Sequence, residues 1–215
     1  MDIELLKWFL EYVPFIILVS LFMALLKFKS VAKACPEMLY FLALAVFFEF
    51  LSRFLSGRRT NNMPYLHLYT TLEFLTISLF YYRTLKHFIS AKVLLGTIIG
   101  FVSFAIINAF FIQGITNFNS YARSIECIIL ILFSLIYYYM MLSELSIKDP
   151  IKSTDFWLNT AFLIYFSGSF VLFILSNLIN EQSLEINIAA WAMHSFLLAI
   201  LHIFISLGLW RVPPR

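Results

Sequence analysis

Seven times along this chain an apolar run of about twenty residues gives way to a short polar break, and nothing else in the sequence limits the fold as strongly. At ~1.5 Å of rise per helical residue, such a run matches the ~30 Å of hydrocarbon in a bilayer. A helix also satisfies its own backbone hydrogen bonds, as lipid requires. The runs are Trp8–Leu26, Pro36–Leu55, Pro64–Tyr82, Val93–Phe111, Tyr121–Leu142, Phe156–Ile179 and Ile186–Trp210. The breaks carry turn residues at Ser56–Asn62, Gln113–Asn119, Ser146–Pro150 and Asn180–Ser183. The expectation is an all-α, polytopic membrane protein in which residues 1–215 form a single bundle of seven transmembrane helices. The breaks are too short to hold a soluble domain, so any chemistry would take place in the membrane. Composition agrees: 13% of the 215 residues are charged and 62% are hydrophobic, with a mean hydropathy of +0.90, whereas a soluble domain carries about 25% charged residues.

The first run reads as a retained span in the cell (inner) membrane. Asp2 and Glu4 stand where a signal peptide has a basic region, and no small-residue cleavage pattern follows. Basic residues set the orientation. One side holds Lys27, Lys29, Lys33, Arg83, Lys86, Lys92, Lys148, Lys152, Arg211 and Arg215, and the other holds Lys7, Arg53, Arg58, Arg59 and Arg123. The richer side is cytoplasmic, which puts the N-terminus outside and the C-terminus inside, with the Arg58-Arg59 pair in dissent. Trp8, Tyr65, Tyr121 and Trp191 fall near outer ends, while Tyr40, Tyr81, Tyr82, Tyr137, Tyr138, Tyr139, Trp157 and Trp210 fall near inner ends, as an interfacial aromatic belt would. A net charge of +3 without a basic run excludes nucleic acid as a partner. Cys35 and Cys127 fall at different depths, which argues against a disulfide. Phe48–Ser56 and Leu172–Asn180 share a weak likeness, which chance between apolar segments explains better than an internal repeat.

The ionisable residues inside the runs point to a site, because a charge at membrane depth is costly and ordinarily faces a partner or a wet cavity. Glu73 lies in the third run. Glu49 and Arg53 are four apart, the spacing of an i,i+4 ion pair, and Arg123 and Glu126 are three apart. His67, Asn177 and His194 fall near outer ends. At ~100° per residue, Asn187, Trp191, His194, Leu198 and His202 make one stripe on the last helix, and Tyr69, Thr70, Glu73 and Thr76 share a face on the third. His67 is turned about a third of a circle from Glu73. The candidate ligand-binding pocket is therefore Glu49, Arg53, His67, Glu73, Arg123, Glu126, Asn177 and His194, opening outward between the second, third, fifth and seventh helices. In it Arg123 and Arg53 would hold an anionic group or their neighbouring acids. For Asn108, Asn177, Ser134, Ser167 and Ser169, ordinary interhelical hydrogen bonding, worth ~0.6 kcal/mol each, is the competing reading.

No cofactor and no metal are expected. Were a metal held, its ligands would be His67, Glu73, Glu126 and His194, but there is no HxxxH or HExxH spacing to support it. Ser195 follows His194, yet adjacent helical residues point ~100° apart and do not pair as nucleophile and base. Catalytic residues stay unassigned, and the chain leans away from being an enzyme.

Three seven-span families are similar only in outline. Rhodopsins carry a retinal lysine in the last helix, and Ile186–Trp210 has none. The ceramidase and adiponectin-receptor group has an HxxxH motif that is absent here. The PQ-loop sugar transporters place a Pro-Gln pair where Pro14 stands without its glutamine. Across His67–Arg83, Asn119–Glu126 and Phe156–Asn159 through Phe166–Ser169 to Ser176-Asn177, the chain resembles a family of small uncharacterised bacterial seven-span integral membrane proteins. That resemblance implies association with a sensor histidine kinase and brings no catalytic residues with it. The expected function is a receptor or sensor module that binds a small polar or amphipathic ligand and signals through a partner. An intramembrane lipid or amide hydrolase, with or without a metal, and a small proton-coupled transporter are the alternatives.

Overall fold

The computed structural model describes residues 3–144 and 149–213. Asp2, Lys148, Arg215 and most of the expected Ser146–Pro150 turn lie outside the described residues. The helices are α1 (Ile3–Leu26), α2 (Phe28–Ala34), α3 (Pro36–Gly57), α4 (Met63–Leu85), α5 (Ala91–Ile112), α6 (Ser120–Glu144), α7 (Thr154–Ile174), α8 (Ser176–Asn180) and α9 (Leu184–Arg211). The chain is a polytopic helical membrane protein, since among the described residues six of these helices are long and apolar enough to cross a membrane. Of the three helices outside that six, α2 and α8 are short, and α4 has the length, at 23 residues, but interrupts its apolar face with His67, Glu73 and Arg83.

The long helices run antiparallel in sequence order, and contacts between their ends fix this. At one end Asn61 Nδ2 donates to Thr116 O (3.0 Å), and Asn177 Nδ2 donates to Ser120 Oγ (3.3 Å). At the opposite end Lys27 Nζ donates to Trp210 O (2.5 Å) and Val212 O (2.7 Å). α9 packs most extensively on α7 and on α1, α6 lies against α7, α3 lies against α4, and α5 is peripheral. Gly168 allows the α7–α9 approach, because a Cβ there would stand 2.7 Å from Leu197 Cδ2. Small residues let membrane helices approach closely where water supplies no drive for their association.

Polarity is turned inward. Phe111 is 83% exposed and Leu142 68%, whereas Glu73 is 2% exposed and Glu126 fully buried. Apolar side chains suit lipid as solvent, and the polar ones find their partners inside. Tyr81 and Tyr137, expected in an interfacial belt, are core residues instead. The Tyr81 hydroxyl bonds Ser134 Oγ (2.5 Å) and Asn159 Oδ1 (3.0 Å), joining α4, α6 and α7. A buried tyrosine ring is stable when its hydroxyl is satisfied in this way.

Several boundaries differ from the apolar runs. α1 begins at Ile3 because the helical ladder continues into a polar first turn. It tightens to a 3-10 turn at Val13–Ile16, where Pro14 lacks the N–H of an α-helical bond. The segment after Lys27 is a short helix rather than a loop. The sixth run, expected unbroken to Ile179, divides at Leu175 into α7 and α8. The Arg58-Arg59 turn closes α3. Arg59 is left-handed (φ 56°), and Thr60 N reaches back to Leu55 O (2.9 Å), so the last carbonyls are capped without glycine at the turn.

Candidate functional site

One cavity of about 230 Å3 runs from the 113–119 loop toward mid-bundle. Its walls come from α1, α3, α4, α6, α7 and α9, so α1 and α7 join the four helices expected from the sequence. The α9 contribution extends from Trp191 to His202, a rise of roughly 16 Å on a helix. The stripe read on the last helix thus faces the cavity, except Asn187, which bonds Asn180 Oδ1 (3.2 Å) near the helix start.

Arg123 is the centre of the charged group. Its NH1 pairs with Glu73 Oε2 on α4 and, one turn along its own helix, with Glu126 Oε2 at 3.1 Å. Its guanidinium carbon lies 5.3 Å from the Tyr69 ring centroid and 5.2 Å from that of Phe173. Tyr69 OH donates to the other Glu73 oxygen at 2.8 Å. Arg123 and Tyr69 line the cavity, while the two carboxylates sit behind them. Glu126 Oε1 is buried and has no hydrogen-bond partner among the described residues. The local pair Arg123–Glu126 follows from helical periodicity, but Glu73 comes from fifty residues away and binds the same nitrogen.

The other expected residues separate into distinct settings. Glu49 Oε1 pairs with Arg53 Nε at 2.5 Å, and the guanidinium of Arg53 lies 4.7 Å from the Phe15 ring centroid. Glu49 lines the cavity. His194 also lines it, with Nε2 3.1 Å from Tyr165 OH. His67 turns away: its Nε2 donates to Asn117 O at 3.0 Å, bracing the 113–119 loop. Asn177 joins the amide network of that loop through Ser120. Asn108 belongs there too, donating to Asn119 Oδ1 (3.0 Å) and Gln113 Oε1 (3.1 Å). Among the described residues no three His, Cys, Asp or Glu side chains gather as metal ligands. In particular, the set His67, Glu73, Glu126 and His194 is divided among a loop carbonyl, a guanidinium and a tyrosine.

Sequence reasoning missed two features. Ser20 on α1 donates to Ile17 O (2.8 Å), so its oxygen accepts from Nδ1 of cavity-lining His202 (2.8 Å), and α1 is tied to α9. Pro14 and Ser20 in the first run were the available signals. At the opposite end Arg83 binds Asp155 through both its terminal nitrogens (2.7 and 3.1 Å) and Glu37 through Nε (2.8 Å). Glu37 and Asp155 lie in the first turns of α3 and α7 and Arg83 in the last turn of α4, which suits the helix dipoles. Read as a topology marker, Arg83 is also a three-helix clasp.

No family model, no curated protein and no solved structure matches this chain. The resemblance to seven-span sensor-associated proteins therefore contributes no family assignment.

Proposed function

We propose that this protein is a sensory, ligand-binding membrane module whose cavity receives a small polar or amphipathic ligand. The observation that carries the reading is the cavity itself, where Glu49, Arg123 and His194 share one concave wall with Tyr69, Phe173 and Trp191. Ionisable groups at membrane depth, convergent on an aromatic-lined space, are the ordinary makings of a binding site. Asn177 and His67 brace its mouth in this reading, and Glu73 and Glu126 fix Arg123 in place.

In the same proposal α4 is a seventh span. Its polar face is covered by protein, with Thr70, Glu73, Thr76 and Ser78 all buried. The basic end bearing Lys27, Arg83 and Lys86 is cytoplasmic and the cavity opens on the other side of the inner membrane, the orientation favoured by the lysine and arginine distribution. The described loops are too short to house an effector domain, so the signal passes to a partner docked on the bundle, such as a sensor kinase. The metal-dependent form of the hydrolase alternative finds no gathered ligand set among the described residues.

Single cysteines at Ser52 and Leu198, both on the cavity wall, test this in intact cells and in inverted vesicles, with Cys35 and Cys127 replaced by serine. The expected result is labelling by a membrane-impermeant thiol reagent from the outer face only, faster at 52 than at 198. Labelling from the cytoplasmic face alone, or at neither position, overturns the reading.

A further inference from the structure

We infer that the ligand is an organic cation, an ammonium group carried on an aromatic or short alkyl body. This inference rests on the binding reading above and adds the sign of the ligand's charge.

Both guanidiniums that an anion would seek are already engaged. Arg123 serves Glu73 and Glu126, and Arg53 serves Glu49. Each guanidinium is held by carboxylates of this chain, so an incoming anion would meet acids rather than a free cation, which in a poorly polarisable interior opposes it.

One carboxylate edge is open on the cavity wall. Glu49 gives Oε1 to Arg53, while its Oε2 accepts no hydrogen bond from the described residues. The same cavity wall carries the aromatic rings of Phe48, Tyr69, Tyr165, Phe173 and Trp191. Ring faces carry negative potential and attract ammonium groups, and tryptophan does so best. The site already uses this attraction once, because Arg123 packs against the rings of Tyr69 and Phe173. About 230 Å3 accommodates one ring with a short chain.

Three probes of nearly equal size separate the possibilities at pH 7: phenethylammonium, 2-phenylethanol and 3-phenylpropionate. Binding to the purified full chain is measured by calorimetry and by thermal shift in detergent. The expected order is ammonium, then alcohol, then carboxylate, with the ammonium about tenfold tighter than the alcohol. Glu49→Gln brings the ammonium down to the alcohol's affinity and leaves the alcohol unchanged, which also corrects for partition into micelles. Glu49 is a quarter exposed, so the variant is expected to fold. Should it not fold, the ranking on the unaltered protein decides alone. If the carboxylate binds as tightly as the ammonium, or the alcohol equals it, the cation inference fails and the pocket stands. If none of the three binds, both fail.

Discussion

Replacing Arg123 with leucine removes the one cation that two buried carboxylates share. The Arg123 side chain is 12% exposed, that of Glu73 2%, and that of Glu126 is fully buried. Breaking a buried pair costs about 3–5 kcal/mol, because the partner is left as an uncompensated charge. An ordinary interhelical hydrogen bond in a membrane protein is worth only ~0.6 kcal/mol. The two readings therefore differ several-fold, and a tenfold change in the folding equilibrium corresponds to about 1.4 kcal/mol. Arg123→Leu is expected to lower stability by about 3–5 kcal/mol in reversible unfolding in mixed micelles. The variant Arg123→Leu/Glu73→Gln/Glu126→Gln removes both charges left behind and is expected to recover most of that loss. Tyr69→Phe removes one neutral donor to Glu73 and should cost ~1 kcal/mol. A loss under ~1 kcal/mol for Arg123→Leu would refute the view that these charges are held as one buried group. So would a triple variant no more stable than the single one.

At the other end of the bundle, Arg83→Lys keeps the charge but loses the fork that binds Asp155 twice. With Arg83 about a third exposed, solvent screening limits the expected loss to ~1 kcal/mol, read as a lowered melting temperature. Gly168→Ala brings a Cβ to 2.7 and 2.9 Å from the terminal carbons of Leu197, a side-chain end that can shift, so the overpacking loss should stay within ~1 kcal/mol once the gain in helix propensity is counted. Gly96→Ala meets nothing within 4 Å and should be neutral or stabilising by up to ~1 kcal/mol through helix propensity, both checked by the same unfolding assay. Cys35 is fully buried, and burial pushes its thiol up to about 12. Since the thiolate is the reactive form, Cys35 should resist maleimide at pH 7 in the folded protein and react once the chain is unfolded.

The helices were legible because an apolar run of membrane length has few other folds open to it. Their ends were less so: α1 starts five residues before Trp8, and α7 stops at Ile174. In both places hydrogen bonding, rather than hydropathy, decides where the helix ends. The pairs Glu49–Arg53 and Arg123–Glu126 were legible because 3.6-residue periodicity fixes spacing over one turn. The stripe from Trp191 to His202 was legible for the same reason. Glu73 on Arg123, Arg83 on Glu37 and Asp155, and His202 on Ser20 were not, since each depends on which helices become neighbours. His67 shows the limit from the other side. Its depth matched the cluster, but its azimuth sent it to the Asn117 carbonyl. Arg123 and Arg53 were read as holding an anionic group or their neighbouring acids, and the structure gives both to carboxylates.

The central claim is that Glu49, Arg123 and His194 line one hydrated space between the helices. A nitroxide attached at Leu198→Cys, on the cavity wall, and another at Ile203→Cys, on the exposed apolar face of the same helix, measure this directly by deuterium modulation in D2O with the protein in nanodiscs. The account predicts strong water contact at 198 and little at 203. Equally low water contact at both positions would contradict it.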